Sequence, residues 1–329
     1  MLIKFGFPVI GNVLTEMVMQ PFFSIIVTCL NAGDKLKGTL ESIEKQAFRD
    51  FEVIVKDGGS ADGSLMSAYG MARKWKKNPE LWKAGRKGET EAAGETERRE
   101  QQGSEAAWPG FKIVEKKDSG IYDGMNQAVG EACGRYVYFL NCGDRFYSET
   151  VLQEMADFIR GEKAEGKPGI FYGNIFERLT GVQVASNPKM DAFGCYRNVP
   201  CHQACFYDRE LLLAHPFETK YRVRADYEQF LWCFFMGVHG EKAGFFYKDM
   251  LIADYEGGGF SETKENRKIS AAEHKEITEK YLTPGQLFKF RMIMLLSLAP
   301  LRTKIAENEK TAGIYNRCKE LAYGKRGKT

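Results

Sequence analysis

The chain has 329 residues, 43% hydrophobic and 28% charged, enough to bury the core of one large domain or two modest ones. Its net charge of +3 gives no bulk electrostatic case for binding nucleic acid. No stretch reaches the ~18 to 20 uninterrupted apolar residues of a membrane-spanning helix. Eight cysteines form no CxxC pair, and the spacing of Cys195, Cys201, His202 and Cys205 matches no common zinc site. Reduced, buried thiols of a cytoplasmic protein are expected instead.

Residues 1–20 have one Lys and broken apolar text, with no clean signal-peptide core or cleavage site, and read as a leader. "FFSIIVTCL" (Phe22 to Leu30) is a continuous, β-branched apolar run, the mark of a strand buried on both faces. "DKLKGTLESIEKQ" follows with helical spacing, then a second strand, Phe51 to Val55, ending in "DGGSADGS". Ser60 or Asp62 is placed to cap the next helix. Strand, helix, strand, helix at this spacing predicts βαβ units and a mostly parallel sheet flanked by helices. In such sheets ligands gather at the carboxyl ends of the strands.

Residues 76–110 are dominated by Glu, Lys, Arg, Gly, Ala and Gln and read as a mobile insertion. "FKIVEK" resumes the sheet, "GIYDGMNQAVGEAC" reads as a helix, and "RYVYFLN" as the next strand. "GIFYGNIFE" and "GVQVAS" look like a strand pair. "HQACFYDRELL" supplies another strand, "ADYEQFLWCFFMG" a buried helix, and "FFYKDMLIADYEGGGFSE" a late strand ending in a glycine loop. "LFKFRMIMLLSLAPL" (Leu287 to Leu301) carries Lys289 and Arg291 and reads as a core or interfacial helix. From Leu282 onward there are ten Lys or Arg and three Glu, about +7, against about −4 (3 − 7) for the rest. A basic tail of this kind suits anionic lipid or an acidic partner. The division expected is a leader over 1–20, a domain over 21–262, and a helical basic extension over 263–329.

Three polar clusters then sit at strand carboxyl ends: Asn31 to Gly33, Asp57 to Ser64, and "NCGD" from Asn141 to Asp144. Asp57 in a Gly-rich turn suits a ribose hydroxyl or a base N–H, with Gly58 and Gly59 allowing close approach. Asp144 suits a hard divalent cation, which prefers carboxylate oxygen and keeps water and phosphate ligands. Each also reads as an ordinary turn or helix-capping Asp.

The stretches "FSIIVTCLNAGDKLKGTLESIEKQAFRDFEVIVKDGGSADGS", "DSGIYDGMNQAVGEACGRYVYFLNCGD", "HQACFY", "ADYE" and "GGGFSE", in this order, resemble family 2 glycosyltransferases with the GT-A fold. The likeness is to the bacterial group that builds capsules, exopolysaccharides and O-antigens, and it covers roughly Phe22 to Ser261. It implies a Rossmann-like central sheet. Thr28, Leu30, Asn31, Asp57, Gly58 and Ser60 would hold the base and ribose of a nucleotide-sugar. Asp118, Gly120, Asp123 and Asn126 would close over the nucleotide. Asp144 would be the last Asp of the DXD-type motif, holding Mn²⁺ or Mg²⁺ on the diphosphate, with Asn141 in the first place, where the commoner motif has an acid. Asp226 would be the catalytic base, with Glu228 as the fallback. His202 and Gln203 would line the sugar and acceptor side.

The implied activity is an inverting, metal-dependent transfer from a nucleotide-sugar, UDP-sugar by preference, to a hydroxyl of a saccharide or lipid-linked acceptor in cell-surface polysaccharide synthesis. The implied location is cytoplasmic, with peripheral contact to the inner face of the membrane through the tail. Two other classes compete. A sugar nucleotidyltransferase would carry a Gly-rich, Lys/Arg-bearing loop after the first strand, and "TCLNAGDKLKG" has one Gly before Lys35. A non-catalytic nucleotide-sugar-binding scaffold is opposed by the intact Asp57, Asp144 and Asp226 set.

Overall fold

The computed structural model describes residues 20–78, 110–162, 167–259 and 263–297. Nearly all of the expected leader, most of the insertion, the end of "GGGFSE" and the tail after residue 297 lie outside the described residues.

The strands are β1 (Phe23–Cys29), β2 (Phe51–Asp57), β3 (Phe111–Glu115), β4 (Tyr136–Phe139), β5 (Arg145–Phe146), β6 (Gly169–Glu177), β7 (Val182–Val184), β8 (Cys205–Asp208) and β9 (Gly244–Tyr255). The helices are α1 (Lys35–Glu44), α2 (Leu65–Lys77), α3 (Ile121–Glu131), α4 (Val151–Glu162), α5 (Ala192–Arg197), α6 (Arg209–Ala214), α7 (Ala225–Phe235), α8 (Lys264–Tyr281) and α9 (Pro284–Leu296). The strands form one sheet in the order β3-β2-β1-β4-β8-β6-β9-β5, with β7 paired to β6.

β1 is apolar along its length because both its faces are covered. Phe23, Ile25 and Val27 pack on one side with Leu36, Leu40 and Ile43 of α1 and Leu152, Met155 and Ile159 of α4. Ile26, Val137 and Phe139 pack on the other with Met125, Ala128 and Val129 of α3 and Phe230 and Leu231 of α7. Each buried Val, Leu, Ile, Phe or Met side chain among them contributes on the order of 1.5–3 kcal/mol.

β1 to β4 pair in parallel with one another, as the sequence predicts. Beyond β4 the sheet is mixed rather than mostly parallel. β6 is followed by a hairpin partner, β7, and not by a crossover helix, and the strand–helix alternation breaks there. β8 therefore runs antiparallel between β4 and β6. Its register, Tyr138 opposite Phe206, brings the 3₁₀ turn His202–Ala204 to the carboxyl end of β4.

The described part of the expected extension packs onto the core. Ile277 of α8 is fully buried. Glu273 of α8 accepts the backbone N–H groups of Arg222, Val223 and Arg224 at 2.7, 3.0 and 2.9 Å. α9 opens on a capping box between Thr283 and Gln286 with Pro284 in its first turn. It buries Leu287 and Phe290 but leaves Phe288, Met292, Leu295 and Leu296 exposed.

Candidate active site

The loops after β1 and β2 are laced together. Asp57 is buried and accepts the N–H groups of Gly59 and Ser60 at 2.8 Å each and the Ser60 hydroxyl at 2.5 Å. Ser60 Oγ accepts the Asn31 N–H at 2.8 Å, and Asn31 Oδ1 accepts the Ala61 N–H at 2.9 Å. Asn31 sits at φ 47°, a region Asn tolerates better than most residues. Leu30 projects into solvent beside it. Ser60 thus holds Asp57 rather than capping α2. Asp62 serves that turn, accepting the Ser64 N–H at 3.0 Å.

A second wall comes from the start of α3. Asp118 pairs with the buried Lys56 ammonium at 2.7 Å and accepts the Gly120 N–H at 3.2 Å. Lys56 also donates to the carbonyls of Asp57 and Lys116 at 2.8 and 2.6 Å. This buried cation therefore has a charge partner and further acceptors, as it must. A Cβ on Gly58 would lie 2.9 Å from Asp118 Oδ2, so glycine is needed for the two walls to meet. Asp123 accepts the Ser119 N–H at 2.8 Å, which holds its carboxyl below the usual range.

Asp144 ends the turn after β4. Its Oδ1 accepts the Glu256 N–H at 2.9 Å and its Oδ2 accepts Gln203 Nε2 at 3.0 Å. The side chain is almost wholly buried, and burial pushes its carboxyl above the ordinary value. Gly143, at φ 101°, has Glu256 Oε2 where a Cβ would stand, 2.5 Å away. Glu256 in turn pairs with Lys35 at 2.8 Å.

Asp226 lies in the first turn of α7. Its Oδ1 accepts the Tyr122 hydroxyl and the Tyr227 N–H, both at 2.9 Å, and its Oδ2 lies 3.1 Å from His202 Nδ1. Burial pushes this carboxyl up, but the bonds from His202, Tyr122 and the Tyr227 N–H outweigh it and hold it below the ordinary range. His202 Nε2 lies 3.1 Å from Asn141 Nδ2, and Asn141 Oδ1 accepts the Thr28 hydroxyl at 2.8 Å. The adjacent side chains His202 and Gln203 thus reach two different carboxylates, Asp226 and Asp144.

The family model described as glycosyl transferase family 2 matches residues 24–80. A PGL/p-HBAD biosynthesis glycosyltransferase of Mycobacterium tuberculosis is 32% identical over 248 residues, 74% of this chain and 80% of that one. The chain is a family 2 glycosyltransferase. The glycosyltransferase fold, GT-A, is shared with solved structures. A mannosyltransferase from Pyrobaculum calidifontis, in complex with GDP-Man and Mn²⁺, gives a TM-score of 0.52 at 16% identity, over 93% of this chain and 81% of that one. S. aureus TarS in complex with UDP gives 0.51 at 16% identity, over 79% and 70%.

Two expectations for this glycosyltransferase need correction. Asn126 does not join Asp118, Gly120 and Asp123: its amide donates to the Phe217 carbonyl and accepts the Phe217 N–H, each at 2.9 Å, so it braces α3 against that loop. Glu228 is no fallback base. It is fully buried, with His215 Nε2 at 2.9 Å, Lys280 Nζ at 2.7 Å and the Tyr281 hydroxyl bonded to it. His215, Glu218 and Glu228 converge closely enough to surround a cation, but the Lys280 ammonium already bridges the two glutamates. Sequence reasoning missed Lys56, Tyr122 and Glu256. Tyr122 and Glu256 lie inside the stretches that carry the resemblance, whereas Lys56 is a charge inside a strand that is buried throughout.

Proposed function

We propose that this glycosyltransferase is inverting and depends on a divalent cation. It moves a sugar from a nucleotide-sugar, a UDP-sugar by preference, to a hydroxyl of a saccharide or lipid-linked acceptor in cell-surface polysaccharide synthesis. The observation that carries the reading is the convergence of Asp144 and Asp226 on one sheet edge, through His202 and Gln203. The UDP-bound and GDP-Man-bound proteins that share its fold support a nucleotide-sugar donor.

Asp144 fits a hard cation. Its buried carboxylate meets only neutral donors, and among the described residues no Lys or Arg lies within ion-pair distance of it. A buried carboxylate charge without a counter-ion is costly, and a cation relieves that cost. Mn²⁺ or Mg²⁺ would be held there by Asp144, with water and donor phosphate oxygens as the other ligands. When bound, the ion neutralises the charge that grows on the leaving diphosphate.

The chain's own residues do the rest. Thr28, Leu30, Asn31, Asp57, Gly58 and Ser60 line the base and ribose side, and Asp118, Gly120 and Asp123 form the opposite wall. Gln203 and His202 face the transferred sugar. Asp226 takes the proton of the acceptor hydroxyl as its oxygen attacks the anomeric carbon from the face opposite the departing nucleotide. A single displacement of this kind inverts the centre and needs no enzyme nucleophile.

The exposed apolar residues of α9, flanked by Lys289 and Arg291, support peripheral contact with anionic membrane. Among the described residues no helix is long and apolar enough to cross one.

The test is nucleotide release from a panel of nucleotide-sugars with Mn²⁺, with Mg²⁺, or with chelator. Release is expected only with metal. Asp226→Asn should retain donor binding and lose turnover about 100-fold or more. Undiminished turnover would remove Asp226 from its role. Donor binding without turnover across the whole panel would favour the scaffold reading.

A further inference from the structure

Asn141 stands where the commoner motif of the family has an acid, and its surroundings account for the amide. The Thr28 hydroxyl, 2.8 Å from Oδ1, leaves Nδ2 directed at His202 Nε2, 3.1 Å away. An amide NH₂ only donates. Nε2 must then be the nitrogen with the free lone pair, and the ring proton must sit on Nδ1. Nδ1 lies 3.1 Å from Asp226 Oδ2, so that proton is donated to the carboxylate. The other oxygen, Oδ1, accepts the Tyr122 hydroxyl.

We propose that Asn141 is a positioning residue: it locks His202 as the neutral Nδ1–H tautomer, so that the ring orients Asp226 without placing a cation beside it. The inference rests on Asp226 being the base.

The chemistry of the alternative shows why an amide is needed. A carboxylate at position 141 accepts and cannot donate. It would draw a proton onto Nε2 while Nδ1–H remained on Asp226, and the ring would become an imidazolium between two carboxylates. A cation at hydrogen-bond distance favours the charged form of Asp226 and makes it a weaker base. Asp144 is the other carboxylate whose charge is felt at the ring, and it too favours an imidazolium. The amide holds the neutral form against both.

The test uses the full chain with ¹⁵N-labelled histidine. Only four histidines are present, and His202→Gln assigns the resonances of interest. At neutral pH the wild-type ring is expected to show an unprotonated Nε2 and a protonated Nδ1. A protonated Nε2, in an imidazolium or in the other tautomer, overturns the proposal without any variant having to fold. Asn141→Asp is expected to give an imidazolium, a kcat about tenfold lower or worse, and a donor KM changed less than about threefold. An unaltered ring, or a loss confined to KM, overturns it as well. Full turnover by Asp226→Asn would instead remove the base while leaving the ring state intact, so the two failures are told apart.

Discussion

Gln203 Nε2 donates to Asp144 Oδ2 at 3.0 Å, and the Cys201 thiol donates to Gln203 Oε1 at 2.6 Å, which fixes the way the amide faces. Asp144 is thereby held by neutral groups alone, and its charge is stored without a partner. An acid whose carboxyl is raised by burial weakens the fold as pH climbs past its ordinary value of 3.8. Asp144→Asn removes the unpartnered charge but turns an NH₂ toward Gln203 Nε2 or the Glu256 N–H. Tm in metal-free buffer should therefore stay within about 4 °C of wild type, while metal-dependent turnover falls about 100-fold or more. Differential scanning fluorimetry beside a turnover assay checks both. A Tm loss above about 4 °C would make the carboxylate structural.

Tyr122→Phe removes one hydrogen bond from the Asp226 carboxylate. That bond helps hold the carboxyl below its usual range, so its loss lets the pKa rise. The acidic limb of the kcat/KM profile should move to higher pH by up to about one unit. Donor affinity should stay unchanged, because Tyr122 touches the Val223 carbonyl and Asp226 and not the nucleotide walls. A weakened donor with an unmoved limb would contradict this placement.

Glu228 is a fully buried ionic joint between His215 and Lys280. Burial pushes its carboxyl up, yet His215, Lys280 and Tyr281 bring it down from 4.5 to about 2. A depressed acid stabilises the fold above its unfolded pKa, and that contribution fades as pH falls toward the folded value. Glu228→Gln should cost about 3 kcal/mol at neutral pH. Denaturant titrations should show the gap shrinking as pH drops from about 4.5 toward 2. A gap independent of pH would point to packing rather than charge.

Phe288, Met292, Leu295 and Leu296 recur at helical spacing on the outer side of α9. Phe288→Glu combined with Leu295→Glu should abolish co-sedimentation with anionic phospholipid vesicles and leave Tm within about 2 °C of wild type. Equal sedimentation of the variant would rule this helix out as the contact.

The parallel half of the sheet was readable from single strands, since a β-branched run such as "FSIIVTC" has few other uses. Asp57 and Asp144 stand out locally as carboxylates at strand ends, though each also reads as a turn residue, and Asp226 is marked by the family resemblance alone. The remainder was not local. Nothing in "CFYD" says that it lies antiparallel to β4, yet that pairing delivers His202 to Asn141. Asn126 matched a motif by position, but its amide is claimed by Phe217, 91 residues away. Lys56 was hidden for a like reason, because its partner Asp118 lies 62 residues on.

Glu273 gathers three consecutive N–H groups from the segment just before α7. The residue that aims the proposed base thus comes from beyond the end of the family resemblance. A chain cut at residue 262 would keep both nucleotide walls but leave Arg222 to Arg224 without their anchor. On the proposed role of Asp226, a unit that turns over, as distinct from one that only holds a donor, has to include the part of α8 that carries Glu273.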